Sequence, residues 1–236
     1  MPKFIVTSDM LLNQMKRGSL RIAESFDSLC ADDMAELSDL LAASATITLR
    51  GMYHEHRADK DLQIWSGELL TNITFSLSSA VYVLRAGYRL LPGVILRNSV
   101  EAMAVCLHGL QKPHDLARIK AGKFDSPKAI NTAKKVIPHF GDLSGFLSKD
   151  FAHAGPLHHS LQPLATYKDR GDDLLVHLRA IRASVLFHYI VAEFAFVHLV
   201  DERRYWYIEA PDRLRYSPSG AQLQWQRRFL YGPELP

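Results

Sequence analysis

Apolar residues recur at steps of three and four along most of the chain, the spacing that lines one face of an α-helix. The longest such run starts at Asp61 and reaches about Leu91, through Leu62, Trp65, Leu69, Ile73, Leu77, Val81 and Leu84. Upstream, Met10, Leu11, Met15 and Leu20 predict a helix from Ser8 or Asp9 to about Asp27. Asp32 or Asp33 then opens a second, Met34 to about Leu49, with Leu37, Leu40, Leu41 and Ile47 on its apolar face. The charged segment Gly51 to Lys60 predicts a connection. Pro92 suits a first helical turn, and the helix it opens runs to about Leu110.

Beyond that point the pattern breaks into shorter pieces. Pro113 starts one and Gly122 ends it; Ser126-Pro127 opens another to about Ile137, and Pro138 and Gly141 interrupt again. A last long helix spans about Asp172 to Val200, its two leading aspartates favourably placed against the helix dipole. Residues 201–236 differ in kind, mixing arginines with Tyr205, Trp206, Tyr207 and Trp225, and predict short strands or irregular structure. The pattern therefore predicts an all-α fold: one helical bundle of about seven or eight helices over residues 1–200. An irregular, Arg/aromatic C-terminal tail, 201–236, is expected to dock on the bundle or on a twin subunit.

Composition narrows the class without naming a function. With 236 residues, 47% hydrophobic and 22% charged, the chain is long and apolar enough to fold without staples. Two cysteines, Cys30 and Cys106, are too few for a disulfide framework and suit a reducing compartment, so a cytoplasmic location is expected. A net charge of +3 excludes a supercharged nucleic-acid binder. The apolar segment Val185 to Val200 is interrupted by His188, Glu193 and His198, so a buried helix is expected there and no membrane association.

No phosphate-binding loop, dinucleotide fingerprint, nucleophile elbow or zinc-binding motif occurs, and no cofactor or metal is expected. His54 and His56 are two apart and do not face each other on a helix. His177 and His188 share a stripe but lie about 16 Å apart, too far for one ion. Three pairs follow an Arg-x4-6-His spacing suited to metal-independent RNA cleavage: Arg50 with His56, Arg170 with His177, and Arg182 with His188. That number is about what chance supplies. Arg182, Tyr189 and Glu193 share a stripe on a mostly apolar helix, which predicts an internal ion pair.

Two candidate sites remain. Arg97 and Glu101 are four apart on one helical face, with His108 on the same stripe. The stretch from Arg118 to Lys135 is basic, with Arg118, Lys120, Lys123, Lys128, Lys134 and Lys135 against Asp125 alone, and is a candidate phosphate contact. A pocket lined by Trp65, Tyr82 and Phe187 is a weaker candidate for a small apolar ligand.

Leu84-Arg85-Ala86-Gly87-Tyr88, Leu96-Arg97-Asn98-Ser99-Val100-Glu101 and Leu147-Ser148-Lys149-Asp150-Phe151-Ala152-His153 resemble the motifs of a broad, mostly uncharacterised group of bacterial all-helical proteins. The group looks distantly like the HEPN bundles, which include toxins and phage-defence proteins. The resemblance covers roughly Trp65 to Gln162, with one extra residue in the last element. It implies that Arg97, Glu101 and His153 converge between helices. It also implies a non-enzymatic interaction or regulatory protein in stress or phage defence. The alternative is a metal-independent ribonuclease built on that Arg/Glu/His cluster. A protein partner or a homo-oligomer is expected, with RNA as the candidate ligand.

Overall fold

A computed structural model describes residues 18–57, 61–152, 156–159, 164–210 and 213–232. The protein is an all-α bundle of about eight helices with one small two-stranded hairpin. Its helices are α1 (Ser19–Arg57), α2 (Asp61–Arg85), α3 (Leu91–Gln111), α4 (Leu116–Lys120), α5 (Ser126–Val136), α6 (Phe140–Leu147), α7 (Asp172–Ala195) and α8 (Gly220–Tyr231). A π-helical segment, Ser148–Ala152, extends α6, and a single helical turn covers Pro156–His159. The hairpin pairs β1 (Trp206–Ala210) with β2 (Arg213–Tyr216), with Trp206 opposite Tyr216.

The core forms around α7, which packs against α1, α2 and α3. This helix is apolar on nearly every side, from Leu174 through Ile181, Val185 and Phe187 to Ala192, as a helix surrounded by others must be. By length and composition it could cross a bilayer, yet 78% of its most apolar window is buried inside the bundle.

The first two predicted helices differ from the structure. Everything before residue 18 lies outside the described residues, and α1 then runs unbroken to Arg57, through the expected break at Asp32 and Asp33 and the expected connection after Gly51. Asp33 is no cap. It is 4% exposed and turns inward to Arg182 and Arg170. Gly51 does not stop the helix either: a Cβ there would sit 2.2 Å from the Phe196 ring, so the glycine allows that ring to lie against the helix backbone. Gly93 does the same on α3, where a Cβ would fall 2.0 Å from Phe151.

The short strands expected in the tail form as β1 and β2, a helix, α8, follows them, and the described part of the tail docks on its own bundle. Glu193 Oε1 on α7 accepts the backbone N–H groups of Arg204, Tyr205 and Trp206 at 2.8–3.1 Å, fixing the entry to β1. The Trp206 indole donates to the Ile190 carbonyl at 2.8 Å, and Tyr205 is fully buried beneath Tyr189 and Tyr216. On α8, Phe229 packs below the Arg182 guanidinium.

Burial raises the Glu193 pKa above the usual carboxylate range, with the three backbone donors pulling the other way. A raised folded pKa means the fold binds this proton more tightly than the unfolded chain does. Its penalty is absent near pH 4.5 and grows as pH rises through the folded value. Glu193→Gln keeps the accepting oxygen and removes the charge. Urea melts should show it at least as stable as wild type at pH 8, with a smaller difference at pH 5. A variant clearly weaker at pH 8 would contradict this reading.

Candidate functional site

The basic segment acquires its shape from the end of α3. Pro113 has no N–H to continue the helix, and Lys112 leaves it at φ −132° and ψ 72°. The chain turns through a short 3₁₀ segment, Pro113–Asp115, which folds Asp115 back beside His108. His108 Nε2 lies 2.9 Å from Asp115 Oδ2, and Nδ1 lies 2.8 Å from Thr132 Oγ1 on α5. The Phe124 ring covers the imidazole at 4.6 Å, leaving the side chain 3% exposed. One buried ring thus ties together α3, the 3₁₀ turn and α5.

The proton arrangement around this ring follows from its partners. The carboxylate can only accept, so Nε2 carries a proton toward Asp115. Thr132 also reaches the Lys128 carbonyl at 3.1 Å. Its hydroxyl can donate to Nδ1, or accept from a protonated Nδ1 while donating to that carbonyl. Both charge states of His108 therefore satisfy every partner, and the link holds in either. The His108 hydrogen bond holds the Asp115 carboxyl below its usual range, against desolvation and with help from the His114, His108 and Arg118 charges.

On α5, Lys128, Asn131, Thr132 and Lys135 fall at i, i+3, i+4 and i+7, one face of the helix. That face and the α3–α4 corner enclose a cleft of about 350 Å³ lined also by Lys112 and Arg118. Four cations thus surround one carboxylate already committed to His108. Arg118 Nη1 is 3.6 Å from Asp115 Oδ1; among the described residues Lys112, Lys128 and Lys135 have no ion-pair partner. Such clustering of unpaired positive charge gives a local potential that the net charge of +3 conceals.

Three of the six predicted phosphate contacts, Arg118, Lys128 and Lys135, line this cleft. The others do not. Lys120 is bound to Asp61 at 2.7 Å, the Lys134 stem lies over Gly141, and Lys123 is exposed in the turn after Gly122. Sequence reasoning missed Lys112, Asn131, Thr132 and the His108–Asp115 pair. The usable signal was the proline just past Lys112, which makes the chain reverse within reach of His108.

Arg97 and Glu101 sit on α3 eleven and seven residues before His108, about 16 and 10 Å away at helical rise. They pair with each other at 2.8 Å, each about one-third exposed. Arg97 Nε also donates to Ser148 Oγ at 3.2 Å, so the Leu147–Ser148 element does reach Arg97. His153, the third member of that candidate cluster, lies outside the described residues. Arg182 and His188 occupy two separate closed networks. Arg182 binds Asp33, Glu36 and the Phe229 carbonyl, whereas His188 binds Ser44 and the Leu70 carbonyl. Tyr82 is exposed on α2 while Phe187 is buried in the core.

A larger cavity, about 460 Å³, opens at the start of α7, but Arg89 and Lys168 there face Asp169, Asp172 and Asp173 and the charges offset one another. Among the described residues no three His, Cys, Asp or Glu side chains converge to hold a metal ion.

No protein-family model, curated protein or solved structure matches this chain.

Proposed function

We propose that this is a non-enzymatic binding protein whose basic cleft takes the phosphodiester backbone of single-stranded RNA, in a regulatory role of the stress or phage-defence kind. The observation that supports it is the convergence of Lys112, Arg118, Lys128 and Lys135 around the His108–Asp115–Thr132 link. Lysine and arginine bind phosphate through charge and multiple donors, and Asn131 adds a neutral donor beside them. The buried imidazole has both nitrogens occupied, so its role is to position the cleft walls rather than to move a substrate proton.

Fluorescence anisotropy with a labelled RNA oligomer tests this. Four phosphate contacts to a single strand predict log K falling against log salt with a slope of about −3. The Lys128→Glu/Lys135→Glu variant should weaken binding at least 30-fold and flatten the slope to about −1.4 or less. Binding insensitive to salt, or unchanged in the variant, would overturn the cleft as the site.

A second reading, metal-independent RNA cleavage by Arg97, Glu101 and His153, is favoured by one contact, the Arg97–Ser148 hydrogen bond that draws the later element to α3. Incubating RNA with the protein in chelator separates the two readings. Cleavage lost in both Arg97→Ala and His153→Ala would support the nuclease; intact RNA bound by the cleft supports the binding protein.

A further inference from the structure

The outer face of the α1/α2 pair is unusual for a surface exposed to water. Residues 69–84 of α2 contain no charged side chain, nor do residues 40–49 of α1. On these stretches Phe75, Tyr82 and Leu49 are 65%, 68% and 57% exposed. Depletion of charge with exposed aromatics is the compositional mark of an interface centre.

The exposed positions of α2 also keep a repeat of their own. Glu68, Asn72, Phe75, Ser79 and Tyr82 are all exposed and follow one another at steps of four, three, four and three. That is the seam spacing of two helices packed along their length. The serine hydroxyls on and beside the seam are already satisfied within the helix: Ser76 donates to the Asn72 carbonyl, Ser78 to the Thr74 carbonyl and Ser79 to the Phe75 carbonyl, at 2.8–3.0 Å. Covering them therefore strands no donor, which removes the main cost of burying a serine.

The pattern identifies its own occupant. Around a midpoint between Ser78 and Ser79 the seam reads aromatic, small, small, aromatic in either direction. An isologous interface must map onto itself in this way, each residue meeting its counterpart across a twofold axis. Arg85, just past the seam, is already paired with Asp27 of α1 at 2.6 Å, so the match rests on shape rather than on charge.

We propose that two copies of this chain pair through this face, α2 antiparallel to α2 about a twofold near Ser78 and Ser79, with Phe75 of each copy against Tyr82 of the other. The serines at the axis let the helices approach closely. The proposal is independent of the RNA-binding cleft.

Light scattering on the size-exclusion eluate of the intact protein, loaded at about 50 µM to exceed the micromolar range of weak interfaces, tests it. Twice the 26.7 kDa chain mass is expected. The Phe75→Lys/Tyr82→Lys variant should elute at the single-chain mass with unchanged helical circular dichroism. Cys30 and Cys106 are both fully buried, so an introduced surface cysteine is a clean probe. Under mild oxidation Ser79→Cys should cross-link far faster than the exposed control Gln224→Cys on α8. A single-chain mass for wild type, a dimer that survives the lysine substitutions, or equal cross-linking of the two cysteines would overturn it.

Discussion

Arg182→Met is expected to remove about 3–5 kcal/mol of stability, the usual cost of leaving a buried charge without its partner. Urea denaturation monitored by circular dichroism would read this as a fall in midpoint with little change in slope. The Arg182 side chain is 8% exposed and anchors three elements at once. It donates to Asp33 at 2.9 Å and Glu36 at 2.6 Å on α1, and to the Phe229 carbonyl at 2.8 Å on α8. Its guanidinium also lies over the Phe229 ring, 5.0 Å from the centroid. Methionine fills a similar volume and meets none of these acceptors. Among the described residues Asp33 would keep only Arg170, a half-exposed side chain whose hold is screened by water.

A loss this large is a substantial part of the roughly 5–15 kcal/mol that holds a domain of this kind. The double variant Arg182→Met/Asp33→Leu discriminates between causes. If the cost comes from the abandoned carboxylate, removing that carboxylate should recover most of the loss. Equal instability of the single and double variants would instead assign the cost to lost packing on Phe229.

This network shows how the sequence misled at one point and informed at another. An aspartate pair between two apolar-periodic runs reads as a helix start, and nothing local distinguishes Asp33 from a cap. What decides its role is Arg182, 149 residues away, and such a separation leaves no trace in a local pattern. From the other side the pattern was informative. Arginine and glutamate on the apolar cylinder of α7 had to be paired, and both are: Arg182 with α1, Glu193 with backbone N–H groups of the tail. In the tail the short strands were legible, but α8 and the choice of docking surface were not, because its aromatics bury against α7 by tertiary contact.

The cleft divides along the same line. Lys128 and Lys135, seven apart on one face of α5, could be read directly. The assignment of Lys120 and Lys134 to other neighbours could not, because it depends on where Asp61 and Gly141 arrive in space. The His108–Asp115 pair fell between the two cases, spanning a proline turn whose direction only the fold determines.

Acid should destabilise the protein steeply between about pH 6.5 and pH 4, and the cause lies in two core histidines. Burial pushes both His177 and His188 down to about 4 from an ordinary 6.5. For His188, donation from Nε2 to the Leu70 carbonyl opposes that shift only in part. Both rings are neutral in the fold at pH 6, whereas the unfolded chain takes up protons below 6.5. Unfolding therefore binds protons, and stability is lost as pH falls until the folded histidines also titrate near 4. A displacement of roughly 2.5 units corresponds to about 3 kcal/mol for each ring. Glu193, with its raised pKa, opposes this trend from about pH 4.5 upward. His177 offers the cleaner test. Among the described residues its Nδ1 has no hydrogen-bond partner, and its ring packs 5.4 Å from Phe151, so leucine can replace it without orphaning a described neighbour. At pH 7.5 His177→Leu should match wild type within about 1 kcal/mol, the range of volume-conserving swaps. Urea midpoints taken from pH 7.5 down to pH 4 should then show the variant losing about half as much stability as wild type. Parallel curves for the two proteins would mean that the acid sensitivity arises elsewhere, and that the His177 ring is either solvated or paired when the chain is in solution.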